Sequence, residues 1–283
     1  MEFTYYPGCS LKGSAEELDE SFRSVSEKLG VTLKELPDWA CCGASSAHMV
    51  DAYLETALPA RDLLTAERLG RDVVAPCAGC HVRMKAASMK ILEDADLSRQ
   101  FPFKGEIDII SGIEMFHKQD VLKRIKERRS KPLDGLKVVT YYGCLAVRPV
   151  EVVAPEDPEN PRQMDDVLEA LGAEVLNWPY KTDCCGGSLA VTRTDLVIKL
   201  SKKLIDMAIA VGADAMVTLC PMCQANLDTR QADMSKLSGK NYQMPVLYLT
   251  ELIGVALNDS QATRWFEKHM VSPKNMLASK GLI

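Results

Sequence analysis

DCCGG, residues 183–187, sets Cys184 and Cys185 side by side. Neighbouring side chains of an extended chain point to opposite faces, so two such thiols rarely bond to each other. They invite a partner that needs both. The motif is not solitary: residues 41–43 read CCG as well. Working outward from the two pairs, the ten cysteines fall into two sets, 9, 41, 42, 77, 80 and 144, 184, 185, 220, 223. Cys41, Cys42, Cys77 and Cys80 each recur 143 residues later, and 34 residues separate the pair from the CxxC in both sets. Only the first cysteine breaks the offset, because the second set carries eight extra residues between it and its pair. The Pro-rich stretch RPVEVVAPEDPENP (148–161) reads as that insertion, a surface loop.

The flanking text repeats too. FTYYPGC (3–9) answers VTYYGC (139–144), and DVVAPCAGC (72–80) answers DAMVTLCPMC (214–223). The chain therefore divides into two homologous domains, 1–130 and 131–283, joined near ERRSKPLDG (127–135). Each half alternates short β-like runs with helical patterns. EFTYYPGC, VTLKEL, DVVAPC and EIDIIS read as strands. SAEELDESFRSVSEKLG reads as a helix closed at Gly30, and DAYLETALPARDLLTAERLG as one interrupted or kinked near Pro59. That alternation predicts an α/β fold of two Rossmann-like halves with parallel sheets, related by a pseudo-twofold duplication. Such sheets bind ligands at the carboxyl ends of their strands. Cys9, Cys77, Cys144 and Cys220 all fall at predicted strand ends, which predicts one site per half.

Composition narrows the chemistry. The chain has 283 residues, 47% of them hydrophobic, and a net charge of -5. No basic stripe argues for nucleic acid. No signal peptide and no apolar run of transmembrane length is present, so a cytoplasmic protein is expected. Thiols stay reduced there, which favours ligands or redox groups over structural disulfides. A tetrahedral zinc or a cubane cluster takes four thiolates, and disulfides would leave an odd thiol in each half. A site using all five leaves none over. No GxGxxG or Walker motif appears, so no bound nucleotide is expected.

The pattern C-x31-CC-x34-CxxC followed by C-x39-CC-x34-CxxC resembles the CCG-domain family, and within it the B subunit of heterodisulfide reductase, from YYPGC (5–9) to YLTELIG (248–254). The resemblance implies two noncubane [4Fe–4S] clusters, one on Cys9, Cys41, Cys42, Cys77 and Cys80, the other on Cys144, Cys184, Cys185, Cys220 and Cys223. It implies a disulfide substrate held between them, such as the coenzyme M–coenzyme B heterodisulfide, that receives one electron from each side and leaves as two thiols. It also implies two partners in the same complex, the iron–sulfur C subunit and the flavoprotein A subunit. Two other readings stay open: a related complex acting on another sulfur substrate, including oxidatively, and an electron-transfer subunit with no disulfide chemistry.

Around the cysteines, His48 and His81 are candidate proton donors. Lys12, Arg148 and Arg193 are candidate anchors for an anionic substrate. His117 and His269 read as surface residues. Tyr5, Tyr6, Tyr141 and Tyr142 read chiefly as strand-core packing. The basic run VLKRIKERRSK (121–131) reads as a solvated helix face or a docking surface.

Overall fold

The computed structural model describes residues 1–44 and 47–283, without the side chain of His48. Among the described residues there are eight strands: β1 (Glu2–Tyr5), β2 (Thr32–Glu35), β3 (Val73–Ala75), β4 (Ile109–Ser111), β5 (Lys137–Thr140), β6 (Glu174–Val175), β7 (Ala215–Thr218) and β8 (Val246–Tyr248). The helices that position the site are α1 (Glu16–Lys28), α2 (Ala52–Leu69), α3 (Ala78–Glu93), α4 (Gly112–His117), α5 (Gln119–Arg128), α6 (Gln163–Leu171), α7 (Thr194–Ala210), α8 (Pro221–Thr229) and α9 (Leu249–Ala256).

The strands form two four-stranded parallel sheets, in the orders β2-β1-β3-β4 and β6-β5-β7-β8. The second order is the first one repeated, as the duplicated cysteines require. The strands β3 and β7 are buried along their whole length, Val73–Ala75 and Ala215–Thr218, which is the pattern of a parallel sheet covered on both faces. The chain turns in opposite directions from β1 to β2 and from β1 to β3, and likewise around β5. The crevice at that reversal, beyond the carboxyl ends of the strands, is where open α/β sheets bind ligands.

The halves share a core. Ser21 on α1 and Thr250 on α9 meet hydroxyl to hydroxyl at 2.7 Å, both buried. One continuous apolar cluster joins Phe22, Cys77 and Phe116 to Leu219, Tyr248 and Trp265. The joining stretch is likewise packed: Ser130 and Lys131 donate backbone N–H bonds to Ala256 O, and Leu133 is fully buried.

Two expectations are corrected. Helix α2 is not interrupted at Pro59. The basic run of α5 is not simply a solvated face, because Arg124 donates to Leu29 O and Gly30 O at 3.1 and 3.0 Å, and Arg128 reaches Lys28 O. These guanidinium groups satisfy carbonyls at the end of α1, which lack intrahelical donors, and complement its negative end.

Candidate metal centres

Each half gathers its five cysteines at the crevice from three places. Cys9 follows β1 in a single helical turn, Gly8–Leu11, and Cys144 follows β5. Cys41–Cys42 and Cys184–Cys185 lie in irregular loops after β2 and β6. Cys77 and Cys220 occupy the N-cap positions of α3 and α8, and Cys80 and Cys223 lie in the first turn of those helices. A helix N-terminus presents unpaired N–H groups and a positive dipole, both of which favour thiolate.

The sulfurs group identically in the two halves. Cys9 and Cys41 pair at 3.9 Å, and Cys42 meets Cys80 at 3.4 Å. Cys77 lies beside Cys80. In the second half Cys185 meets Cys223 at 3.6 Å, with Cys144 beside Cys184 and Cys220 beside Cys223. The first pair of each half is the outer one: Cys9, Cys41 and Cys184 are exposed, whereas Cys42, Cys77, Cys80, Cys185, Cys220 and Cys223 are buried. Adjacent cysteines thus face opposite ways, one joining the outer pair and the other the inner chain of three.

No two of these thiols are bonded covalently. Their separations approximate the edge of about 3.8 Å that two thiolates share on a tetrahedral metal with bonds of about 2.3 Å. Among the described residues, no three His, Cys, Asp or Glu side chains are arranged around one ion position. An all-thiolate donor set spread over a pair and a chain of three fits a multi-iron centre better than a single ion.

The backbone is shaped around the sulfurs. Gly8 and Gly143 both have φ +67°, and a Cβ there would stand 2.7 Å from Cys80 Sγ and 2.8 Å from Cys223 Sγ. Gly43 N–H points to Cys41 Sγ at 3.5 Å and Gly186 N–H to Cys184 Sγ at 3.2 Å. Tyr6 and Tyr141 each stand three residues before the first cysteine of their half. Tyr6 donates its hydroxyl to Ala40 O at 2.5 Å and Tyr141 to Asp183 O at 2.6 Å. Those carbonyls immediately precede the two cysteine pairs, so each tyrosine pins its CC loop. The repeated tyrosines ahead of each first cysteine carried that signal, which the packing reading passed over.

Five crowded thiols cannot all ionise, so they share protons. The bond from Cys80, then backbone N–H groups working against burial, brings Cys77 to about 7. The Cys144 bond does most to bring Cys184 to about 6, and the Cys223 bond to bring Cys185 to about 7. Cys80 and Cys223, each hydrogen-bonded to two thiols, are driven well above their ordinary range. Metal binding would displace those protons.

The surroundings differ. His81, beside Cys80, is buried, and its Nε2 lacks a hydrogen-bond partner among the described residues although Glu114 Oε2 lies 3.4 Å away. Burial outweighs that carboxylate and lowers its pKa. Gln224 takes the corresponding place beside Cys223, and its amide lies 3.5 Å from His269 Nδ1. His269 Nε2 in turn meets Glu251 Oε1 at 2.8 Å, both side chains fully buried. The surface reading of His269 is therefore wrong: a residue 45 positions beyond Gln224 supplies the imidazole that the second half lacks locally. Burial opposes its charge, but Glu251, then Asp228 and Glu17, raise its pKa to about 9. His117 is half-buried against Asp166 at 2.9 Å.

The other candidates are on the surface. Lys12 bonds Asp19 and Glu35 at 3.3 and 3.2 Å, Arg193 bonds Asp195 at 3.0 Å, and Arg148 pairs with Glu159 inside the insertion. The side chain of His48 is outside the described residues. The two sites adjoin, since a Cβ on Gly79, between Cys77 and Cys80, would lie 3.8 Å from Leu145, the neighbour of Cys144. Beside Cys144 an open cleft of 520 Å³ lies between the halves, walled by Ile113 and Glu114 on one side and Tyr142, Val147 and the insertion on the other.

The cysteine-rich domain family, CCG, matches residues 3–85 and 138–228. The chain is 33% identical over 261 residues to the 8-methylmenaquinol:fumarate reductase membrane anchor subunit of Wolinella succinogenes, covering 90% of this chain and 92% of that one. It is 27% identical over 289 residues to the B subunit of ferredoxin:CoB-CoM heterodisulfide reductase from Methanosarcina mazei, covering 98% and 96%. A solved structure of a hypothetical protein from Helicobacter pylori shares the fold, with a TM-score of 0.72 and 12% identity over 96% of this chain and 52% of that one. Among the described residues no helix is long and apolar enough to cross a membrane.

Proposed function

We propose, from the premise that the chain belongs to the CCG cysteine-rich family that includes the B subunit of heterodisulfide reductase, that it is the disulfide-reducing subunit of a multi-subunit redox complex. The two five-cysteine sets would each hold one noncubane [4Fe–4S] cluster. The observation that carries the reading is the identical grouping of five sulfurs in two adjoining sites. A relay tolerates matched adjoining sites but does not need them, whereas a two-electron reduction at one-electron centres needs two. The balance is R–S–S–R′ plus two electrons and two protons giving RSH and R′SH. When bound, each centre supplies one electron.

The chain's own residues do the rest. The glycine cradles admit the sulfurs, the Tyr6 and Tyr141 hydroxyls fix the loops that present them, and the shared core holds the two sites at a constant spacing. Electrons would reach the chain from an iron–sulfur C subunit and a flavoprotein A subunit. Exposed apolar side chains near the sites, Met49, Val50, Leu145 and Val191, offer surface that a partner would cover. A second reading is favoured by the 33% identity to a menaquinol:fumarate reductase subunit: electron transfer with a quinol partner and no disulfide chemistry.

Anaerobic purification with iron counting, followed by EPR spectroscopy, separates the two. About eight iron atoms per chain and a paramagnetic signal that depends on added disulfide or thiol support the first reading. The same iron content with no response to any thiol, and reduction by a menaquinol, supports the second.

A further inference from the structure

The two strands that flank the CxxC strands end differently. Ser111 ends β4 opposite Ala75, two residues before Cys77, and Tyr248 ends β8 opposite Thr218, two residues before Cys220. They are counterparts by register. Each is followed three residues later by a glutamate that accepts its backbone N–H, Glu114 at 2.6 Å and Glu251 at 2.7 Å. Ser111 spends its hydroxyl on its own helix, accepting from Glu114 N at 3.1 Å. The Tyr248 phenol is too long for that duty, and its hydroxyl has no hydrogen-bond partner among the described residues.

An unpaired buried hydroxyl is costly, and a tyrosine in a core normally finds a partner. Tyr248 is 0% exposed. It belongs to one apolar cluster with Leu219, the neighbour of Cys220, and with Phe22, Cys77 and Cys80 of the first half. Burial first, then the carboxylates of Glu17 and Glu251, then the thiolates of Cys220 and Cys77 hold its proton well above the ordinary phenol range. Its strand runs beside the one that leads to Cys220, and Thr250, two residues on, bonds Ser21 of the first half, so this strand end stands at the join of the halves. The neighbouring carboxylate does not claim the hydroxyl: Glu251 is engaged with His269 and with Tyr248's own N–H.

We propose that the Tyr248 hydroxyl donates a hydrogen bond to metal-bound sulfur at the junction of the two sites, so that one residue tunes both centres. The inference rests on the two-centre reading above. A donor to sulfur stabilises the more negative, reduced form and so raises the reduction potential. Each half has its own cradle and its own tyrosine clamp, but a phenol stands at this position in one half only.

The test is an EPR-monitored redox titration of the anaerobically isolated full chain, wild type against Tyr248→Phe, with iron counted in each. The expected result is unchanged iron and a negative shift in the midpoint potentials of both centres. Replacing Tyr248 by 3-fluorotyrosine, a stronger donor of the same shape, shifts both the other way. It also keeps the question open to measurement should the phenylalanine variant lose iron. Ser111→Ala, which removes a helix cap, lowers the melting temperature and leaves both potentials in place. Potentials that stay put in both Tyr248 variants at full iron content overturn this inference alone. A shift at one centre only overturns the shared role. Wild-type protein without iron overturns the two-centre reading itself.

Discussion

The first half keeps Asp19 partly in water; the second half takes Asp165, one turn nearer the end of its own helix, out of it. Both stand on the helix after the first strand, and both accept a hydroxyl from the same region of the fold: Tyr5 donates to Asp19 at 2.6 Å, Thr140 to Asp165 at 2.9 Å. Asp19 answers to Lys12 and Arg23 at the surface. Asp165 answers to Lys181 at 2.5 Å, with side chains 1% and 5% exposed, and also accepts the Tyr142 hydroxyl. The Lys181 ammonium reaches on to Pro161 O, and so ties the end of the insertion to the segment leading into Cys184. The copies have kept the cysteine layer alike and let the layer behind it diverge. On the two-centre reading the sulfurs answer to a centre of fixed shape, whereas the support answers only to the local chain, which is eight residues longer in the second half.

That comparison can be broken most decisively at the inner sulfurs. Cys42→Ala and Cys185→Ala should each remove one centre and abolish turnover, with iron content falling to about half in either variant; full iron in both would show that the CC pairs are not ligands. Next in size, Asp165→Ala leaves Lys181 buried without a counter-charge and should cost about 3–5 kcal/mol in urea unfolding. Asp19→Ala, which orphans the Tyr5 hydroxyl but leaves Lys12 and Arg23 able to reach water, should cost less, about 1–2 kcal/mol. Equal losses would erase the wet–dry distinction.

The second half also carries a pH signature. His269 is raised from an unfolded value of about 6.5 to about 9, so its stabilisation is complete below pH 6.5 and fades as pH rises through 9. The loss is about 3 kcal/mol across that window. Unfolding measured at several pH values should show the decline in the wild type and not in His269→Gln. The smallest effect should be the most symmetrical: Tyr6→Phe and Tyr141→Phe each forfeit one bond to the carbonyl before a CC pair, costing about 1 kcal/mol apiece. A large difference between them would mean that the two loops are not held alike.

Much of this was legible in the chain. The duplicated cysteine spacing reported two sites, and strand-like runs ending at Cys9, Cys77, Cys144 and Cys220 placed those sites on the sheet edge. What the spacing could not report was which sulfur meets which, because that depends on how irregular loops fold back. Nor could it place His269, whose partners Gln224 and Glu251 are joined to it only through tertiary packing. The Arg124 and Arg128 contacts escaped for the same reason: a basic face on an isolated helix looks solvated until a neighbouring helix end lies beneath it.

The inward gradient of exposure, from Cys9, Cys41 and Cys184 at the mouth to Cys80 and Cys223 at the floor, gives each half a direction of assembly. Material delivered from outside meets the mouth thiols first, and so does any oxidant. Timed alkylation of metal-free protein should label Cys9, Cys41 and Cys184 before Cys80 and Cys223. On the two-centre reading, the doorway through which a centre is installed would also be the one through which air dismantles it, and a partner that sealed it would protect the centre.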